Sequence, residues 1–207
     1  KSASRIYTEI ENCLAKEDFL PQKLFERFHI EALATTDATN DSLEHHQALK
    51  GTPLAGKVIP TFRPDDVSDP DRPDWRSSIT QLAESTGIAI STFSSLRKAI
   101  RIARDRFIAN GAKATDHGVP SALSMDLSES EKEQIFAKVR GEDFSAHDAE
   151  IFRAVMLMEH AQMSCDDGLV MQLHPGSHRN HSNEIYESYG ADRGFDIPVQ
   201  TEFTNSL

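Results

Sequence analysis

The sequence predicts a parallel α/β fold amounting to about half of a (β/α)8 barrel. Three observations carry this. Apolar, strand-like runs at 30–36, 57–62, 113–116 and 169–173 alternate with helical segments. Such alternation builds a parallel sheet with helical crossovers. No glycine-rich phosphate loop follows any of these runs, so a nucleotide-binding open sheet gains no support. A whole barrel takes roughly 250 residues, and this chain offers four strands in 207.

Each element has its own signal. Ile6, Ile10 and Leu14 recur at helical spacing behind Ser4, which predicts a helix to about Lys16. Pro21 suits the first position of a short helix carrying Leu24, Phe25 and Phe28. The run 30–36 reads as a buried strand, and 41–49 as a helix capped by Asn40 or Asp41. Pro60 weakens the strand at 57–62, because proline cannot donate to a ladder. The Asp- and Pro-rich stretch 65–74 reads as a loop. Helices follow at 75–85 and 94–110. The second presents Leu96, Ile100, Ala103 and Phe107 on one face and stops at Gly111, with Lys98, Arg101 and Arg104 expected on a solvated face. Ser128 and Glu131 form a capping box before a helix to Val139, and Ser145 opens a longer helix through Met158. The run 169–173 reads as a buried strand, and 183–189 as helical. Residues 1–28 are expected to form a helical insertion or lead-in. Residues 29–207 are expected to form central βα units, incomplete at both ends. The chain opens at Lys1 and closes on 201–207, which reads as the start of another helix, so an internal portion of a longer protein is expected.

Composition narrows the function. Lys plus Arg total 22 against 33 Asp plus Glu, for a formal net charge of −11 and a pI near 5.2. That surface repels phosphate backbones and anionic lipid, which argues against nucleic-acid and membrane partners while leaving room for a local basic pocket. No apolar run approaches the ~20 residues of a membrane helix. Cys13 and Cys165 are far apart, so no disulfide framework is expected and a reducing, cytoplasmic setting fits best.

The chemistry concentrates where the strands end. The four runs lead into Thr36-Asp37, Arg63-Pro64-Asp65, Asp116-His117-Gly118 and His174-Pro175-Gly176. In parallel α/β folds the carboxyl ends of the strands form the active-site rim. Asp37, Arg63, His117 and His174 are therefore expected to converge on one mouth. The plain alternative is that polar residues follow strands because loops do. Arg63 suits a carboxylate, since guanidinium pairs with it in two-pronged fashion; its competing role is an ion pair with Asp65 or Asp66. His117 beside Asp116 suits a metal ligand or a general acid/base, against a histidine satisfied by backbone in a turn. His174, His178 and His181 have helical metal-face spacing, but Pro175 and Gly176 break any helix there. Arg179 and Asn180 in that loop suit hydroxyls or a carboxylate. His45 and His46 are neighbours that point apart on a helix, and His29, His147 and His160 carry no motif. Met156, Met158 and Met163 read as core filler.

These motifs together resemble the uronate (glucuronate) isomerases. The resemblance rests on Thr35-Thr36-Asp37 with Asp41-Ser-Leu-Glu-His-His46, on 58–65 (Val-Ile-Pro-Thr-Phe-Arg-Pro-Asp), on Asp116-His-Gly118, on 171–180 (Met-Gln-Leu-His-Pro-Gly-Ser-His-Arg-Asn) and on 190–196 (Gly-Ala-Asp-Arg-Gly-Phe-Asp). It spans nearly the whole chain in order. It implies a distorted (β/α)8 barrel of the metal-dependent amidohydrolase superfamily with helical insertions. It also implies isomerisation of D-glucuronate to D-fructuronate and of D-galacturonate to D-tagaturonate. The implied cofactor is zinc or a similar divalent ion. Its main ligands, a His-x-His pair and a late Asp, are not among these residues, and His117 stands where a further ligand is often found. Arg63 matches the arginine of the family's Arg-Pro-Asp motif, and with the strand-end reading the expected catalytic residues are His117, Asp116 and His174 and the expected substrate-binding ones Arg63, Asp37, Arg179 and Asn180. His174-Pro-Gly departs from the family's His-Ile-Gly but keeps the histidine. The expected partner is a small hexuronate. A half barrel also leaves strand edges uncovered, so pairing with another copy in a homo-oligomer is the further expectation. The rival readings are a metal-dependent hydrolase of a carboxylated small molecule on the same scaffold, and a non-catalytic isolated portion.

Overall fold

A computed structural model describes residues 2–141 and 143–207. The strands β1 (Leu33–Ala38), β2 (Val58–Arg63), β3 (Ala114–His117) and β4 (Val170–Leu173) form one parallel sheet in sequence order, as the alternation predicts. β1 starts later than expected. The Ile30 amide closes helix α2 (Pro21–Arg27) by donating to the Phe25 carbonyl, and the ladder opens only where the Leu33 amide meets the Lys57 carbonyl at 2.8 Å. Nor is β1 buried. It lies at the edge of the four-stranded sheet, and Leu33 is 40% exposed. Pro60 is tolerated in β2 because β3 pairs only further along, at Phe62 with Thr115.

Helices cover one face of the sheet. They are α5 (Trp75–Thr86), α6 (Phe93–Ala109), α7 (Glu129–Arg140) and α8 (Ala146–Asp167). Phe62 of β2 meets Phe107 of α6 edge-on at 5.0 Å, and Trp75 meets Phe152 at 6.0 Å. Leu96, Ile100, Ala103 and Phe107 are buried, and so are Met156 and Met163. Capping boxes at Thr92/Ser95, Ser128/Glu131 and Ser145/Asp148 start α6, α7 and α8. α8 runs to Asp167 and ends at Gly168, whose φ of 78° is a left-handed cap.

Arg104 corrects the expected solvated face. It is 1% exposed, donates through Nε and Nη2 to Asp167 at 2.6 and 2.9 Å, and lies 5.6 Å over the Phe62 ring. It sits four residues after Ile100 and three before Phe107, so it shares their buried side and carries its counter-ion there.

Four other expectations change. β4, expected to be buried, alternates exposed and half-buried side chains, with Val170 64% exposed, because it is the other edge of the sheet. The helix expected over 41–49 is only α3 (Glu44–Ala48). Asp41 Oδ1 accepts the Leu43 amide at 2.6 Å and Leu43 stands at φ 57°, so a side-chain-capped turn displaces the helix start. The loop expected over 65–74 opens with a helical turn, α4 (Asp65–Ser68), which follows Pro64 and is pinned where the Trp75 indole donates to the Val67 carbonyl. The stretch 201–207 contains no helix but a turn, closed by the Leu207 amide on the Phe203 carbonyl.

Beyond β4, β5 (Ser177–His178) and β6 (Ile197–Pro198) pair antiparallel, with α9 (Asn183–Tyr189) between them. The lead-in 1–28 comprises α1 (Ser2–Leu14), a 3-10 turn (Glu17–Phe19) and α2. No residue of α1 is buried. Among the described residues, no helix is long and apolar enough to cross a membrane, and Cys13 and Cys165 are free.

Candidate active site at the strand ends

Asp37, Arg63, His117 and His174 all lie at the carboxyl end of the sheet, as expected, but they divide between its two faces. Successive side chains on a strand alternate sides. Asp37 stands opposite Phe62, Phe62 opposite Thr115, and His117 opposite Leu173. This set faces the helices, where Phe62, Thr115 and His117 are at most 1% exposed. Arg63 and Asp116 are one position out of phase with it and face the other way. The single mouth expected from strand ends alone did not count this parity.

On the second face a network forms. His174 Nε2 lies 2.6 Å from Asp116 Oδ1, and Arg63 Nη1 lies 3.5 Å from Asp116 Oδ2. Arg63 Nε donates to Asp65 Oδ2 at 2.8 Å, so the ion pair with Asp65 weighed from sequence is present. Asp65 also accepts the Gly118 amide, at 3.1 Å on Oδ1 and 3.2 Å on Oδ2. The His174 amide donates to the His117 carbonyl at 3.1 Å, which extends the β3–β4 pairing to the site. Gly118 leaves room for this network. A Cβ there would collide with Arg63 Nη2 and lie 2.9 Å from Asp65 Oδ2 and 3.2 Å from His174 Cε1.

On the helix face His117 is sealed in. Its Nε2 is 2.8 Å from Thr115 Oγ1, and its ring is 5.1 Å from that of His160 on α8. Burial pushes its pKa down to about 4. Arg104 and His174 push the same way, and Asp65 and Asp116 oppose them. His160 Nε2 lies 3.1 Å from Ser68 Oγ, and its pKa is also held well below the usual histidine range by burial, with His117 and Arg104 adding to the effect. Asp37 is taken up locally. It accepts from Thr35 Oγ1 at 2.7 Å and lies 4.0 Å from His46 Nε2, while His45 points away into solvent.

The residues present do not by themselves fit a divalent metal. Among the described residues no three His, Cys, Asp or Glu side chains are gathered closely enough to hold one. The Nε2 of His117 is already satisfied by Thr115.

A cleft of about 490 Å3 opens beside the network, lined by Arg63, Asp65, Gly118, Arg179, Asn180 and Tyr186 among others. Arg179 pairs with Asp196 at 3.1 Å. Asn180 stands at φ 53°, donates its amide to Asp196 Oδ1 and accepts the Asp192 amide. Asp116 and His174 do not line this cleft. Sequence reasoning passed over Asp65 and Gly118 as site residues, although each lies in a strand-end motif beside a residue it singled out. His160 has no such signal.

A family profile described as glucuronate isomerase matches residues 1–207. The chain is 44% identical over all 207 residues to the uronate isomerase of Phenylobacterium zucineum (strain HLK1), covering 43% of that protein. It is also 44% identical over 207 residues to the uronate isomerase of Rhizorhabdus wittichii, covering 44% of it. The crystal structure of glucuronate isomerase from Caulobacter crescentus superposes with a TM-score of 0.91 at 44% identity, over 96% of this chain and 41% of that one. Uronate isomerase from Thermotoga maritima gives 0.85 at 27% identity, over 90% and 42%. The four-stranded sheet and its helices are thus a portion of a distorted (β/α)8 barrel, in a chain that spans a little over two-fifths of the length of these relatives. With a profile match along its whole length and a backbone that follows the solved structures, the chain belongs to the glucuronate isomerase family.

Proposed function

We propose that this chain supplies part of the active site of a hexuronate isomerase, which interconverts an aldose and a ketose: D-glucuronate with D-fructuronate, and D-galacturonate with D-tagaturonate. The observation that supports this most is the carboxylate of Asp116 shared between His174 and Arg63 at the ends of three adjacent strands.

Isomerisation removes the proton from C2, passes through an enediolate and returns a proton to C1. The Nε2–H of His174 donated to Asp116 leaves Nδ1 with a free lone pair, so this tautomer is a base. Asp116 then steadies the imidazolium after the proton is taken. C1 and C2 are bonded neighbours, so one imidazole can serve both. Arg63 holds the substrate's far carboxylate through the guanidinium edge that Asp65 and Asp116 leave open, with Arg179 and Asn180 meeting hydroxyls across the cleft. Zinc or a similar divalent ion enters this reading only through side chains outside the described residues, and no step here runs through it. A cytoplasmic setting and a homo-oligomer accompany the proposal.

The test is the full-length protein with each hexuronate. A ketose of unchanged mass is expected. Products whose masses sum to the substrate plus one water favour the hydrolase, and no turnover of either sugar overturns the isomerase.

A further inference from the structure

We infer that Asp65 is a positioning residue for the strand-end network, an inference that rests on the isomerase reading. Asp65 heads α4, immediately after the turn at Pro64, and its carboxylate is 13% exposed. Each of its contacts joins two parts of the site. Oδ2 takes Arg63 Nε from β2, while Oδ1 and Oδ2 together take the Gly118 amide at the exit of β3. The carboxylate therefore ties the end of β2 to the end of β3, just where Arg63 and His174 meet Asp116.

The consequence concerns how Asp116 is divided. Arg63 has two carboxylates to choose between, at 2.8 Å (Asp65) and 3.5 Å (Asp116), and the nearer one holds its Nε. That hold keeps the guanidinium from turning fully onto Asp116, so Oδ1 of Asp116 stays with His174 at 2.6 Å. Asp65 thus acts on the imidazole through Arg63. Gly118 leaves room for the same arrangement, since a side chain there would meet Arg63 Nη2.

Asp65→Asn is the direct probe. The amide is nearly isosteric but offers one acceptor oxygen where two donors are served, and its NH2 faces one of them. Arg63 is then expected to move onto Asp116 and draw it from His174. The His174 Nε2–H proton, followed by NMR in the full-length protein, should move upfield as its hydrogen bond to the Asp116 carboxylate is lost. In parallel, kcat/KM on the hexuronates should fall roughly ten-fold. The same substitution made on an Arg63→Lys background should cost less than about two-fold, because the group it positions has gone. Asp65→Ser is the second probe, removing the carboxylate while leaving one acceptor for the Gly118 amide, and it should move the His174 Nε2–H resonance in the same direction. An unmoved His174 Nε2–H resonance in both variants, or losses that simply add in the double variant, overturns the positioning role. The NMR arm needs no substrate. Absence of hexuronate turnover by the wild type therefore counts against the isomerase reading, while the His174 shift still decides the role of Asp65.

Discussion

Arg63 is where chemistry and fold compete for one side chain. Its Nε and Nη1 face Asp65 and Asp116, yet the residue still lines the cleft. If the remaining edge clamps the substrate carboxylate, Arg63→Lys in the full-length enzyme keeps the charge and loses the fork. A charge-assisted hydrogen bond is worth about 1.5–3 kcal/mol, so kcat/KM on a hexuronate is expected to fall roughly ten- to a hundred-fold. A neutral sugar of the same length should be a poor substrate for the wild type and lose little more. Equal losses on both sugars would instead make Arg63 a purely structural partner of Asp65 and Asp116, and move the clamp to Arg179. The competition is legible in part from sequence. Arg-Pro-Asp shows that Asp65 can reach Arg63, but not that Asp116 and the Gly118 amide complete the ring, because those contacts cross 53 residues of chain.

At the level of elements, the helices of the cover layer are legible because each carries its own cap and apolar stripe. α6 and α7 begin within a residue of the expected positions. What sequence misses are features set by partners. The burial of β1 depends on what lies beside it, and the burial of Arg104 depends on Asp167. The side of the sheet taken by His117 depends on strand register, which the strand-end motifs do not contain. That side has a measurable consequence. His117 and His160 are sealed between the sheet and α8 in neutral form, with pKa values about 4 for His117 and well below 6.5 for His160. In the unfolded chain both should titrate near 6.5. Between those values the unfolded state binds more protons, so stability must fall as pH drops from about 6.5 toward 4 and rise again with pH through the same window. The shift at His117 alone corresponds to something on the order of 3 kcal/mol. Urea titrations of the full-length protein across this range should show the slope, and His160→Gln should flatten it. An equal slope in that variant would mean that carboxylates, not this pair, govern the acid limb.

On the scale of the whole molecule, the sheet is open on both sides. β1 and β4 each have a strand neighbour on one side only, and Val170 of β4 is 64% exposed. Unpaired edges of this kind recruit other strands. α1 adds a second uncovered surface, with Ile6, Ile10 and Leu14 at helical spacing and 48–62% exposed. In relatives more than twice as long, further chain is present that could cover such surfaces. Residues 1–207 expressed alone are therefore expected to self-associate or precipitate, and to show no hexuronate turnover, while the full-length protein turns over. Light scattering and a ketose assay on the two proteins side by side decide this. A monodisperse, inactive monomer would mean that the open edges are protected in a way the sheet does not reveal. Turnover by the 207 residues alone would be the more consequential result. The ligands of the divalent ion that the family resemblance implies, expected outside these residues, would then have to be sought among them.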